Sequence, residues 1–559
     1  MPYIKGESKG QMTFFPSSLD EYITCDNPVR VIDAFVEKLD ILSMGFDKAI
    51  PAREGRPSYN PRDMIKLYIY GYLNKIRSSR KLQIECTRNI ELMWLLSKIV
   101  PDFRCIADFR KNNAKNIKLV FHEFVKLCDD LGLLSKELIA IDGSKFSAVN
   151  SKERNYTHGK LNDRIKWIDE KLEAYLAELD HSDKNEKDLS EHTKEELEQL
   201  IEELNTRKET YLKYLDEMNK EGSTQKSITD TEAKLMKNNG KFDVCFNTQT
   251  AVDSKNHIII DFVVTDKCSD TGLLEEVAHG AKEVVGIDTV EIIADKGYRQ
   301  QEDILNCLLN GDTPNVPTFS AQDCYTFEFD YKECEITEEQ VSSRDKEDIL
   351  QCLSSGIVPD ILKNKNITLE VKELYKNKKE RIVDTKTGEG LQAEAWDFIL
   401  EKETNTVLCP MGEILRQKST NHGKAGKTRY ANKKACKSCK RKCTNAEYKE
   451  VDFPPYKYVV KSKYIPNTKL IKTKTITTKT TIQIGKKSIM KFKPDYNRIR
   501  LRKSIVEHPY GTIKRWCDGS YLLLKGKLKA TADLALSFLG YNFKRAVNIL
   551  GVEGMLASL

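Results

Sequence analysis

Two apolar runs that each lead into an aspartate constrain the fold of this chain more than any other feature. Residues 138–141 read Leu-Ile-Ala-Ile and precede Asp142 and Gly143, and residues 290–294 read Val-Glu-Ile-Ile-Ala and precede Asp295. Short apolar runs bounded by turn residues indicate buried strands, so each acid is predicted where a strand ends and opens into a cleft. An Asp-Gly pair at a strand end is most often only a turn, so neither aspartate alone defines a site.

A third acid, Glu507, lies in a helix-like stretch with basic neighbours, and Lys514 follows two turns later. The ordinary interpretation of an isolated helical glutamate is a solvated face. Together with the two aspartates it provides a third carboxylate, and three carboxylates can hold two Mg²⁺ ions about 3.5–4 Å apart. Mg²⁺ prefers oxygen ligands, and Mn²⁺ accepts the same ligands, so Mn²⁺ is expected to substitute.

Five segments that contain or flank these acids carry the motifs of a known family: residues 140–145, 230–237, 246–253 with His257, 294–298 and 506–514. In combination they resemble the DDE transposases of bacterial insertion sequences, most of all the insertion-sequence-1182-like group. A related branch has a Tyr-Arg-Glu-Lys signature, and Glu507 and Lys514 keep its Glu-to-Lys spacing. Arg500 occupies the Tyr position and Lys503 the Arg position.

The resemblance implies an α/β fold with a ribonuclease-H-like catalytic core, in which Asp142, Asp295 and Glu507 bind two Mg²⁺ ions. The residues it implies as DNA contacts are Arg500, Lys503 and Lys514. The partners would be double-stranded DNA, as element ends and as target, and a second copy of the chain in a synaptic homodimer. The implied reaction is cleavage at terminal inverted repeats, followed by attack of the freed 3′-hydroxyl on target DNA.

Two other functions stay open on the sequence alone. A domesticated or decayed copy would bind DNA without cutting it, and a ribonuclease-H-like nuclease would cut without strand transfer. The presence of all three acids argues against decay. Terminal inverted repeats in the DNA that flanks the gene would distinguish a mobile element from a domesticated one.

Length and composition agree with a large DNA-acting protein. A chain of 559 residues is too long for one core and predicts about three domains. The mean hydropathy is −0.53 and no run of 18 apolar residues occurs, so no membrane span is expected. The first residues lack the apolar centre of a signal peptide. The expected location is therefore the cytoplasm, where the 15 cysteines would be mostly reduced.

The order of sequence patterns predicts four parts. Residues 1–135 are predicted to form an N-terminal helical DNA-binding domain, because Asn60 and Pro61 start a periodic apolar run and a basic loop precedes the next helix. A plain helical support domain is the alternative. Residues 136–314 would form the first part of the core and residues 315–490 a β-rich insertion domain. Residues 491–559 would complete the core and carry Glu507.

Two insertions have their own patterns. Residues 160–222 are acidic with apolar residues at helical spacing, which predicts a helical hairpin inserted after the first catalytic strand. Such a hairpin would either contact protein or serve only as structure. Residues 456–461 and 471–484 alternate Lys with β-prone residues. This pattern is typical of strands that track phosphates, or of edge strands protected against aggregation.

Four cysteines in the insertion form a candidate metal site. Cys409 begins a Cys-Pro-x-Gly sequence similar to the knuckle of related transposases, Cys436 and Cys439 form a Cys-x-x-Cys, and Cys443 follows. Four thiolates can surround Zn²⁺ tetrahedrally and leave no open position, so this zinc would be structural. Free thiols are the alternative, because Cys443 follows at a looser spacing than a second pair would.

Overall fold

The computed structural model describes residues 18–51, 54, 57–184, 193–238, 240–375, 398–401, 406–409, 411–418, 428–439, 443–444, 446–453, 484–516 and 519–559. The helices of these ranges are α1 (Pro28–Lys38), α2 (Pro61–Leu73), α3 (Ser79–Arg88), α4 (Ile90–Leu95), α5 (Phe103–Asn112), α6 (Ala114–Asp130), α7 (His158–Lys184), α8 (Lys194–Glu221), α9 (Leu274–Val285), α10 (Gln301–Leu309), α11 (Glu338–Ser342), α12 (Lys346–Ser354), α13 (Lys433–Ser438), α14 (Tyr496–Gly511) and α15 (Lys527–Leu556). None of the described helices is both long enough and apolar enough to span a bilayer.

The strands alternate with these helices, which makes the fold a mixed α/β one. They are β1 (Leu138–Ser147), β2 (Asn155–Thr157), β3 (Gln225–Ser227), β4 (Lys234–Asn238), β5 (Lys241–Asp253), β6 (Ile259–Thr265), β7 (Glu291–Ile293), β8 (Thr313–Asn315), β9 (Tyr325–Asp330), β10 (Ile367–Tyr375), β11 (Ile399–Glu401), β12 (Thr406–Leu408), β13 (Ile414–Gln417), β14 (Thr428–Ala431), β15 (Glu450–Phe453) and β16 (Ile484–Phe492).

The N-terminal part is helical, as the sequence predicts. The side chain of Asn60 accepts a hydrogen bond from the Arg62 N–H at 3.0 Å and Pro61 occupies the first turn of α2, so the predicted start of this helix is confirmed. The following helical region is divided into α3 and α4. The division occurs at Asn89, whose side chain accepts from the Glu91 N–H at 3.0 Å and thereby caps α4.

The central sheet has the order β4-β5-β1-β7-β8, with β6 paired to β5. β1 is antiparallel to β5 and parallel to β7, and β7 is parallel to β8. In chain order, the first strand β1, the β5–β6 hairpin, the helix α9 and the strand β7 form this part of the fold. The structure corrects one boundary, because β1 does not end at Asp142. It continues to Ser147, where the long β5 still provides backbone partners.

The predicted helical hairpin is formed by α7 and α8. Arg164 donates to the hydroxyl of Tyr211 at 3.1 Å, and Lys208 pairs with Asp169 at 2.6 Å. The later residue of α7, Asp169, pairs with the earlier residue of α8, Lys208, so the two helices are antiparallel. The base of the hairpin is closed by the β2–β3 pair and by a small separate core around Tyr156.

Residues 315–490 contain two different units. The sheet β10-β16-β9 contributes Phe327, Met490 and Phe492 to the main core. The sheet β11-β12-β13-β14-β15 has a small core of its own, centred on Val407 and Leu415. The predicted Lys-rich strands at residues 456–461 and 471–484 lie outside the described residues, except for residue 484, where β16 begins.

The long helix α15 packs against both α2 and α6 and joins the helical part to the sheet. The sequence places Asn542 on the polar side of this helix together with Lys544 and Arg545, and for Asn542 this prediction was wrong. Asn542 is fully buried, and its amide accepts from the N–H of Ile259 at 3.0 Å and donates to the carbonyl of the same residue at 2.8 Å. The amide satisfies the backbone of β6, which is why a polar side chain is stable there.

Candidate active site

Asp142 lies within β1 and Asp295 lies just after β7, at the same level along these two adjacent parallel strands. The last residue pair between β1 and β7 is Ala140 with Ile293. Asp142 follows Ala140 by two positions, and Asp295 follows Ile293 by two positions. Parallel strands advance together by about 3.3 Å per residue, so the two residues lie at the same height along the sheet. The two strands that lead into the predicted acids are therefore neighbours in the sheet.

A glycine N–H holds each of the two carboxylates. The N–H of Gly143 donates to Asp142 Oδ1 at 3.0 Å, and the N–H of Gly297 donates to Asp295 Oδ1 at 2.6 Å. Asp295 also caps the short turn Lys296–Tyr298 that follows β7. These hydrogen bonds fix the orientation of both acids before any ligand binds.

The electrostatic environment of Asp142 fits a cation. Burial raises the pKa of Asp142 to about 6, the positive charge of Arg502 opposes this rise, and the negative charge of Asp295 adds to it. A divalent cation bound by both acids would relieve the burial penalty and the repulsion together. The donors are carboxylate oxygens, the ligand type that Mg²⁺ prefers.

Helix α14 lies across β1 and β5 and is held there by two side chains. Arg502 Nη1 is 3.0 Å from Asp142 Oδ2, and both side chains are mostly buried. The hydroxyl of Tyr510 lies 3.0 Å from the carbonyl oxygen of Asp142 and 3.2 Å from that of Thr248, and it accepts a hydrogen bond from Thr250 at 2.9 Å. The face of α14 that carries Arg502 and Tyr510 is thus fixed over the aspartates.

Glu507 lies on α14 between these two contacts, and its side chain is exposed, as are those of Arg500 and Lys503. Throughout the described ranges, no three His, Cys, Asp or Glu side chains lie close enough together to hold a metal ion. The location of Glu507 on a helix beside the sheet agrees with the sequence analysis. Its role as the third metal ligand, and the roles of Arg500 and Lys503 as DNA contacts, stay predictions.

Lys514 is turned toward β1. It lies in the π-helical turn Thr512–Trp516 that follows Pro509, and its Nζ donates to the carbonyl oxygen of Lys145 at 2.6 Å and sits 4.6 Å from the ring centre of Phe146. Burial lowers the pKa of this amine to about 8. Its predicted contact with DNA stays a prediction.

Sequence reasoning missed an acid beside the two aspartates, Asp270. It pairs with Lys145 at 3.3 Å and accepts hydrogen bonds from Asn247 at 2.9 Å and from Gln249 at 2.7 Å. Its charge contributes to the raised pKa of Asp142. No local pattern marks this residue, because it lies in a polar segment after β6. Asn247 is fully buried and uses its amide to hold Asp270.

The four cysteines of the predicted zinc site line one small cavity in the five-stranded module. The N–H of Glu413 donates to Cys409 Sγ at 3.3 Å, and Cys409 and Cys443 pack against the core of the module. Burial raises the pKa of both of these thiols. The sulfurs face a common space, but they are not arranged as a closed ligand group among the described residues.

Two family models match separate parts of the chain. Residues 17–112 match a model described as "Transposase domain (DUF772)", and residues 408–547 match one described as "Transposase DDE domain". The second match contains Glu507 and the four cysteines of the cavity, whereas Asp142 and Asp295 lie outside both matches. Comparisons with curated proteins and with solved structures return no match.

The mixed α/β fold, the paired aspartates and the two matches define the class of the protein as a transposase, which implies DNA as its partner. Within that class, the chain is a DDE transposase of the insertion-sequence type.

Proposed function

We propose that this transposase belongs to the insertion-sequence-1182-like group and that it binds the terminal inverted repeats of its own element. It cuts DNA at those repeats in a metal-dependent reaction and joins the freed 3′ ends to target DNA. Two copies of the chain hold two ends together during the reaction. The bacterial cytoplasm, where DNA is accessible, is its place of action.

The observation that carries this proposal is the position of Asp142 in β1 and Asp295 just after β7. Both residues lie two positions beyond the last residue pair of these adjacent parallel strands. The two acids are separated along the chain by the α7–α8 hairpin and by β5 and β6, so no local interaction brings them together. A sheet that brings acids from two adjacent parallel strands to the same level is the arrangement expected of a ribonuclease-H-like core. We infer that the sheet β6-β5-β1-β7-β8 is that core.

In the proposed mechanism, Asp142 and Asp295 would hold the metal from the sheet, and Glu507 would hold it from α14. Bound Mg²⁺ would supply Lewis-acid stabilisation of the charge that develops during a phosphoryl transfer. The glycine N–H bonds keep the two aspartate carboxylates oriented, which reduces the reorganisation needed during reaction. Arg502 competes with a cation for Asp142, and a DNA phosphate is an alternative partner that would release it.

DNA binding would rest mainly on contacts between basic side chains and phosphates. Arg500 and Lys503 are exposed on α14, the helix whose Arg502 contacts Asp142, and both support a DNA path along this helix. Lys514, which is half-buried against β1, would contribute a further positive charge to the same DNA path. The net charge of +7 favours such an interaction without requiring one.

The test is cleavage of linear DNA that carries the terminal repeats flanking the gene, with Mg²⁺ present. Asp142→Asn and Asp295→Asn should each abolish cleavage, while DNA affinity changes by less than about threefold because the basic side chains that contact phosphates are retained. Cleavage at a near wild-type rate in either variant would contradict the proposal. Cut ends that are never joined to target DNA would favour a nuclease, and binding without cutting would favour a domesticated protein.

We further propose that Cys409, Cys436, Cys439 and Cys443 hold one structural zinc ion. The shared cavity and the hydrogen bond from the Glu413 N–H to Cys409 Sγ support it, because backbone donors to sulfur stabilise thiolates. The separate core of the module is small, and small modules of this kind commonly need a metal for stability.

A further inference from the structure

Asp270 accepts hydrogen bonds from two side chains of the strand next to β1. Its Oδ1 lies 2.9 Å from Asn247 Nδ2 and 2.7 Å from Gln249 Nε2. Asn247 and Gln249 are two residues apart on β5 and therefore face the same side of the sheet. Both are fully buried, whereas the side chain of Asp270 is 25% exposed. The acid thus lies at the boundary between the core and the cleft.

Gln249 connects Asp270 to the loop that carries Asp295. The hydroxyl of Tyr298 donates to Gln249 Oε1, and the Tyr298 ring is fully buried. Tyr298 ends the short turn that Asp295 caps. The amide of Gln249 therefore donates to Asp270 on one side and accepts from the Asp295 loop on the other.

A second connection runs from Asp270 to the strand that carries Asp142. Lys145 Nζ lies 3.3 Å from Asp270 Oδ1, and Lys145 is three residues after Asp142 on β1. The carbonyl oxygen of Lys145 in turn accepts from Lys514. One carboxylate thus contacts β1 directly and the Asp295 loop through Gln249.

The side chains of Asp270, Gln249 and Asp295 also leave little space beside Gly143 and Gly297. A Cβ on Gly143 would lie 2.7 Å from Asp270 Oδ1 and 2.5 Å from Gln249 Nε2. A Cβ on Gly297 would lie 3.4 Å from Asp270 Oδ2 and 2.8 Å from Asp295 Oδ1. Neither glycine has a positive φ, so the lack of space, and not the backbone conformation, favours glycine at both positions.

We propose that Asp270 is a positioning residue of the metal site, which fixes the loop carrying Asp295 relative to the strand carrying Asp142. This inference rests on the proposed function, since it assigns Asp270 to the same site. Asp270 acts through its hydrogen bonds and binds no metal itself. Groups that hold metal ligands in place typically change metal affinity by about 10–100-fold when they are removed.

The test is isothermal titration calorimetry of the full chain with Mn²⁺ and without DNA. Asp270→Ala should weaken Mn²⁺ binding by about 10–100-fold. Asp270→Asn should weaken it less, because the amide oxygen still accepts from Asn247 and Gln249. Tyr298→Phe, which removes one hydroxyl and leaves Asp270 intact, should weaken it several-fold and decides the question if Asp270→Ala does not fold.

Asp261→Asn is the matched control. Asp261 lies on β6, which β5 separates from β1, and it pairs with Lys118 and His122 at 2.9 Å each. Its replacement should lower the unfolding temperature and leave Mn²⁺ affinity unchanged. A purely structural role for Asp270 would give the same result as this control.

Three outcomes would overturn the proposal. Wild-type Mn²⁺ affinity in Asp270→Ala is one, and wild-type affinity in Tyr298→Phe is another. The third is a loss of binding in Asp270→Asn as complete as in Asp142→Asn, because Asp270 would then be a ligand. Failure of the proposed function looks different, since Asp142→Asn and Asp295→Asn would then bind Mn²⁺ as the wild type does.

Discussion

The guanidinium of Arg502 lies 3.0 Å from the carboxylate of Asp142, where it competes with any metal ion for that acid. Arg502 and Glu507 are carried by the same helix, α14. Any shift of this helix would therefore change the position of the Arg502 guanidinium and of the expected third acid, Glu507, at the same time. Without metal, the arginine partly neutralises a mostly buried acid. Metal binding then requires that Arg502 be released, which ties the position of α14 to assembly of the site.

Replacement of Arg502 tests this competition. Arg502→Gln should raise the Mn²⁺ affinity of the DNA-free chain by roughly three- to tenfold, because a partly buried ion pair contributes on the order of 1 kcal/mol. The same variant should cleave DNA more slowly, since a phosphate contact is lost. Calorimetry and a cleavage assay measure the two effects. Arg498→Gln is the control. Arg498 lies on the same helix as Arg502, and it pairs with Glu291 of β7 at 3.4 Å. Weaker Mn²⁺ binding in Arg502→Gln would refute the competition.

Asp142→Asn should stabilise the metal-free fold at neutral pH. The pKa of Asp142 is raised from 3.8 to about 6, chiefly by burial. The folded state therefore holds this proton more tightly than the unfolded state, and the resulting stabilisation is complete below pH 3.8 and is lost as the pH rises through about 6. One pKa unit corresponds to about 1.4 kcal/mol, so the variant should gain on the order of 1–3 kcal/mol at pH 7.

Urea unfolding in the presence of a chelator measures this gain. The advantage of Asp142→Asn over the wild type should shrink between pH 7 and pH 4, because the wild-type carboxyl becomes neutral over that range. A variant that is less stable than the wild type at pH 7 would show that the burial cost is already offset by Arg502.

Asp533→Ala should strongly destabilise the protein. Asp533 is fully buried on α15 and lies 3.0 Å from Arg77 and 3.5 Å from Arg110, and it accepts from the N–H of Leu523 at 2.8 Å. Its removal leaves two buried guanidinium groups without their common partner, which costs about 3–5 kcal/mol. Urea unfolding measures the loss. Asp360→Ala, at an exposed acid paired with Lys363, is the control and should cause no measurable change.

Purified chain prepared without chelator should carry about one zinc ion. Chelation should expose residues 398–453 to protease while the main core stays intact, because the module has a separate core. Elemental analysis and limited proteolysis measure the two effects. The double variant with Cys436→Ser and Cys439→Ser should lose the zinc. Zinc-free protein with an intact module would mean that the four cysteines are ordinary packing thiols.

Local sequence patterns could predict the parts of the fold that depend on nearby residues. The cap at Asn60, the helical hairpin and the two apolar runs before Asp142 and Asp295 are of this kind, since each has its signal within a few residues. The alignment of Asp142 with Asp295 follows from these two runs once their strands are assumed to be neighbours in the sheet.

The parts that could not be predicted depend on residues far apart in the chain. Asp270 lies in an unremarkable polar segment, and its function as a hydrogen-bond acceptor exists only once β1 and β5 are paired. The contact between Arg502 and Asp142 requires the docking of α14. Asn542 fits the polar side of a helix by its sequence, and only the position of β6 beneath α15 makes it a buried residue.

The most direct test of the central claim is the Mg²⁺-dependent cleavage rate of Glu507→Gln on DNA that carries the terminal repeats. Glu507 is the one expected ligand that the metal-free structure leaves exposed, so its participation requires assembly of the site on DNA and metal. The account predicts a fall in rate of about 10³-fold or more with DNA affinity retained, and no change in Glu553→Gln, an exposed glutamate on α15. Cleavage by Glu507→Gln at the wild-type rate would contradict the account.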